Sequence, residues 1–160
     1  MDAPTEGAAD ESDPQLRTDF DSSVAFLLTA LANKLSIRSS QRIRRRLDIG
    51  LMEWRVVALL GAEGQVTPAR VAQVAGVDKS VVSRAVAGLQ RRGLVTVTGA
   101  ARPGRQTVLE LTGEGRSLHA RGMPGVREGE RMLVDGLSAE EERLLVELLK
   151  RMTANVARLF

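Results

Sequence analysis

Between Val77 and Val95 the chain reads VDKSVVSRAVAGLQRRGLV, and Lys79, Ser80, Ser83 and Arg84 fall at a spacing that gathers them on one side of a helix. An ammonium, a guanidinium and two hydroxyls form a short patch rich in hydrogen-bond donors. Such a patch recognises a surface of acceptors; it has no nucleophile–base pair with which to break a bond. Cysteine and tyrosine are absent and His119 is the one histidine. That removes disulfides, thiolate catalysis, cysteine-based redox sensing and a multi-histidine metal site within one chain. No glycine-rich phosphate loop is present. Carboxylate pairs are the acid–base set still open. The expectation is therefore not an enzyme, with no metal and no cofactor.

The charge along the chain names a class of partner. Residues 1–36 carry two basic and seven acidic groups, residues 37–116 carry fourteen and six, and residues 117–160 carry seven of each. A basic block between an acidic start and a balanced end points to a polyanion, with a merely solvated basic face as the alternative.

The elements that would position this patch can be read from periodicity. Residues 1–21 are rich in Ala, Gly, Pro, Asp and Glu and read as a disordered acidic arm without a secretory signal. No apolar run reaches the ~18 residues of a membrane span, so no membrane is expected and the cytoplasm is the expected location. Hydrophobic residues make up 43% of the chain, with one Trp and three Phe, which favours helices built on Leu, Val, Ala and Met. Val24, Leu27, Leu28, Leu31 and Leu35 start a helix that runs to Leu47 and ends at Gly50. Its Arg42–Arg46 cluster suits either the helix C-terminus or a phosphate backbone. A second helix spans Leu51–Leu60 and is expected to close at Gly61. Thr67-Pro68 opens a third, which ends near Gly76. Asp78 caps a fourth, which Gly93 stops. The third and fourth make a helix-turn-helix.

Residues 94–98 and 106–111 alternate like strands around a turn holding Arg102, Pro103 and Gly104. A hairpin with a basic tip directly after a helix-turn-helix is a wing. From Thr112 the chain is helical again, with a kink or break expected near Pro124. Ser138 to Glu141 is a capping box, and Leu144, Leu145, Leu148, Leu149, Met152, Val156 and Leu159 form an apolar stripe on the last helix. A two-fold helical interface is the simpler account of that stripe, a coiled-coil seam the other.

On the fourth helix Val81, Val82, Ala85, Val86 and Leu89 face inward, which leaves the donor patch outward. A recognition helix uses its N-terminal residues on base edges, where Arg and Lys donate to guanine and Ser pairs with several bases. The run from Val77 to Val95, the hairpin, and Leu111-Thr112 with Gly115 together resemble the MarR family of bacterial transcription regulators, over about residues 22–160.

The resemblance implies a mainly α (α+β) fold: a winged helix-turn-helix over 50–112, with dimerisation helices over 22–49 and 113–160. It implies a homodimer whose recognition helix enters the major groove of double-stranded DNA while the wing reaches the minor groove. Two-fold symmetry would match a palindromic operator with half-sites about one turn (~34 Å) apart. The matched positions are Lys79, Ser80, Ser83 and Arg84 on the helix and Arg105 in the wing. The family's wing commonly has Asp two residues before that arginine, where this chain has Pro103; Arg102 could supply part of the contact. Thr67 and Arg70 are phosphate-side candidates, because helix N-termini favour anions.

Family members often take a small aromatic or anionic effector between the DNA-binding and dimerisation parts, and the ligand usually weakens DNA binding. Trp54, Arg55 and Asn33 are pocket candidates on that basis, with core or interface packing the other reading of Trp54. His119 reads as a surface or interface residue. The sequence thus points to a DNA-binding regulator, more often a repressor by analogy; the alternative is a winged-helix module that contacts protein.

Overall fold

The structure, a computed structural model, describes residues 20–99, 107–156 and 158. In chain order it places α1 (Val24–Leu47), α2 (Leu51–Glu63), α3 (Pro68–Ala75), α4 (Lys79–Arg91), β1 (Val95–Thr98), β2 (Val108–Leu111), α5 (Gly113–Leu133) and α6 (Ala139–Val156). Most of the expected acidic arm and the wing tip lie outside the described residues. The chain divides into one unit over residues 1–42 and another over 43–160.

Within the first unit, Ser23 accepts a hydrogen bond from the Phe26 amide, which starts α1. Phe20 stacks obliquely on Phe26 with ring centroids 4.8 Å apart. Val24, Leu27, Leu31, Leu35 and Ile37 are all exposed.

The second unit is organised around a core of branched apolar side chains. Val56, Val57 and Leu60 of α2, Val71 of α3, Val82 and Leu89 of α4, Leu109 of β2 and Leu118 of α5 are buried together. The local elements follow from their caps. Thr67 Oγ1 accepts from the Arg70 amide, Pro68 occupies the first turn, and Gly76 at φ +63 closes α3. Asp78 stands at the N-cap of α4, but through its backbone: its side chain makes no capping hydrogen bond, contrary to the expectation from sequence. Gly93 at φ +67 then turns the chain, and the Leu94 amide bonds back to the Leu89 carbonyl.

β1 and β2 pair antiparallel from Val95↔Leu111 to Thr98↔Val108. Val66, between α2 and α3, adds a bridge to Leu109 through two backbone hydrogen bonds of 3.2 and 2.8 Å. The hairpin is therefore held at Leu109 by a third segment that no alternating pattern announces.

Two boundaries differ from those expected. α2 does not close at Gly61; it continues to Glu63 and ends at Gly64, φ +81. Gly61 serves packing instead, since a Cβ there would lie 2.2 Å from His119 Nε2. α5 is not broken at Pro124 but runs from Gly113 to Leu133 with the proline inside it. The proline removes one amide donor, and the flanking turns carry the helix past it.

Thr112 Oγ1 caps α5 by accepting from the Gly115 amide, and it also donates to the Gly93 carbonyl at 2.7 Å. The expected capping box begins α6. Glu141 Oε2 accepts from the Ser138 amide at 2.7 Å, and Ser138 Oγ accepts from the Glu141 amide at 3.2 Å. Those bonds hold the Glu141 carboxyl below its ordinary pKa. No residue of α6 is buried, and Leu144, Leu145, Leu148 and Leu149 stand exposed. No helix among the described residues is long and apolar enough to cross a membrane, and no carboxylate–histidine group suited to a metal occurs among them.

Candidate nucleic-acid interface

α4 separates two chemistries by face. Val82, Ala85, Val86 and Leu89 are buried, and Lys79, Ser80, Ser83 and Arg84 are exposed. The four predicted contact residues thus share one open surface over the first two turns of the helix. Ser83 Oγ donates to the Lys79 carbonyl at 3.0 Å. Its proton is spent on the helix backbone, so this hydroxyl offers its lone pairs outward as an acceptor. Lys79 and Arg84 remain as donors, and the patch is therefore mixed in polarity. An open depression beside it, between α3 and the start of α4, is lined by Ala72, Gln73, Gly76, Val77 and Ser80.

The phosphate-side candidates on α3 are both engaged within the chain. The Thr67 hydroxyl is the α3 cap. Arg70 makes a two-pronged ion pair with Glu63, with Nη2 to Oε1 at 2.8 Å and Nε to Oε2 at 3.1 Å, and its Nη1 donates to Gln73. The pairing lowers the Glu63 pKa and raises that of Arg70, chiefly through the hydrogen bonds. The charge of Arg70 is thus offset by a carboxylate. Arg102, Pro103 and Arg105 lie outside the described residues.

The three pocket candidates differ in exposure. Trp54 is only 5% exposed, whereas its neighbour Arg55 projects to solvent. Asn33 is exposed within the first unit. The indole sits against Gly122 of α5, where a Cβ would lie 2.2 Å from Cη2, so there is no space between them for a ligand. Trp54 packs against α5 at this point. His119 is half-buried and lies beside Trp54, with centroids 6.2 Å apart and planes 15° from parallel.

One polar contact near the interface escaped the sequence. At the C-terminal end of α4, Arg92 Nη1 donates to the Asp48 carbonyl, and Nη2 lies 3.4 Å from Asp48 Oδ2. The partners are 44 residues apart, and no spacing in the sequence connects them.

Comparison with known proteins follows the same part of the chain. The model of the MarR family matches residues 47–106. No curated protein matches. Among solved structures, a MarR/EmrR family transcriptional regulator from Acinetobacter sp. ADP1 is 27% identical with a TM-score of 0.82, covering 89% of this chain and 100% of that one. The MepR–DNA complex of S. aureus is 21% identical with a TM-score of 0.72, over 85% of this chain and 98% of that one. The PcaV transcriptional regulator of Streptomyces coelicolor, in complex with its natural ligand, is 22% identical with a TM-score of 0.69, over 86% and 96%.

Proposed function

We propose that the chain is a regulator of the MarR family, that it binds a palindromic operator as a homodimer, represses from it, and is released by a small aromatic or anionic ligand. It is a DNA-binding transcription regulator and not an enzyme. The observation that carries the finer reading is the division of α4, in which four polar side chains crowd the open face of a helix whose other face is fixed in the core. Two such helices related by a two-fold axis require a palindrome. The exposed leucines of α6 supply an apolar surface for that pairing. PcaV was crystallised with a ligand, which supports the effector by likeness of fold.

Selection from a random duplex library with the purified protein, at two salt concentrations, tests the proposal. The expected result is a palindrome with half-sites one turn apart and an affinity that falls steeply with salt. Weak binding to every duplex with a flat salt response would instead favour a protein-contacting module.

A further inference from the structure

The buried residues of α4 fix which face of the helix is inward, but apolar contact is non-directional and leaves sliding and tilt weakly determined. What gives the helix a fixed end is polar. Arg92, just beyond its last turn, reaches the carbonyl and the carboxylate of Asp48, in the short link between α1 and α2. Asp48 is the single non-glycine among the described residues at positive φ, +54, so this link holds an uncommon backbone shape. The next turn of chain is equally close. Glu53 Oε2 accepts from the Gly50 amide at 2.7 Å. A Cβ on Gly88 of α4 would lie 2.4 Å from Glu53 Oε1. The link and the first turn of α2 therefore seat the C-terminal end of α4.

We propose that Arg92 is a positioning residue for DNA recognition: anchored on Asp48, it sets the tilt of α4 and so the separation at which two recognition helices meet their half-sites. This rests on the operator-binding dimer proposed above. The side chains of Arg92 and Asp48 are 42% and 90% exposed, and an ion pair that open contributes little stability. Its effect is on direction. A helix of 13 residues is about 20 Å long, so a tilt of about 5° at Arg92 carries the Lys79 end roughly 2 Å.

The experiment compares the full-length wild type with Arg92→Ala on the selected operator and on duplexes whose half-site spacing is changed by one base pair. The expected wild type discriminates sharply between spacings. In Arg92→Ala that discrimination falls by about tenfold, the size of a typical coupling between residues in contact, while binding to a single half-site is unchanged. An unchanged spacing ratio overturns the proposal. So does a uniform loss on all duplexes with a shallower salt dependence, which would make Arg92 a phosphate contact. If Arg92→Ala does not fold, Arg92→Lys replaces it: the charge is kept, the fork is lost, and an intermediate loss of discrimination is expected, an unchanged ratio again being fatal. Failure of the wild type to select any palindrome would remove the operator-binding reading and this proposal together, which distinguishes that failure from the others.

Discussion

Trp54 of α2 and His119 of α5 lie with their rings nearly parallel and their centroids 6.2 Å apart, and each ring lies in a slot left by a glycine on the opposite helix. Gly122 faces the indole and Gly61 faces the imidazole; a Cβ at either position would fall 2.2 Å from a ring atom. The two helices interlock ring into gap, twice, and the unique tryptophan marks the seam.

Gly122→Ala is expected to destabilise the protein. Overpacking of a filled site costs about 1–3 kcal/mol, against which alanine returns up to about 1 kcal/mol of helix propensity. Gly113→Ala is the control. It also lies in α5 but meets nothing within 4 Å, so it should be neutral or stabilising. Urea melts followed by Trp54 fluorescence check both, and a Gly122→Ala protein as stable as wild type would disprove the interlock.

Glu63 gives a pH dependence of defined sign. Arg70 depresses its pKa in the folded state, so the pair's contribution is present above the ordinary carboxylate value of 4.5 and is lost as pH falls through the depressed one. Glu63→Gln should therefore be slightly less stable than wild type at neutral pH and equal to it in sufficient acid. The pair is exposed, so the difference is small and should shrink with added salt. Thermal melts from neutral to acidic pH test the convergence; a constant gap would mean that charge is not its cause.

Arg84 and Arg70 should behave differently toward operator DNA. Arg84 stands on the open face of α4, and Arg84→Ala should weaken specific binding by about 1–3 kcal/mol, the scale of one good base contact. Arg70 is held by Glu63, so Arg70→Ala should change operator affinity less and leave sequence preference intact. Fluorescence anisotropy on matched and scrambled duplexes separates the two, and Arg84→Ala binding as tightly as wild type would refute the recognition-helix assignment.

Much of the fold was legible because its signals are local. Thr67-Pro68, Gly76 and Gly93 each mark a helix boundary by backbone chemistry that needs no tertiary context, and the alternation of Val95 with Val97 exposes the strand. The outward patch on α4 was legible for the same reason, since a periodicity divides its faces. What was not legible concerns residues whose contacts depend on a distant partner. Gly61 resembles a helix stop until His119 is placed over it. His119 resembles a surface residue until Trp54 is placed beneath it. Arg70 resembles a free cation until Glu63 is found across the loop, and the Arg92–Asp48 contact joins positions that no spacing rule connects.

The bridge from Val66 to Leu109 also extends the reach of the core along the hairpin. Val66 joins Leu109 one position short of the outermost described pair, and Val95, Leu109 and Leu111 are buried along the ladder from its root to that point. The ladder thus stays tied to the core as far as its outermost described pair, Thr98↔Val108. A substitution at Val66 is therefore felt in the hairpin as well as in the core.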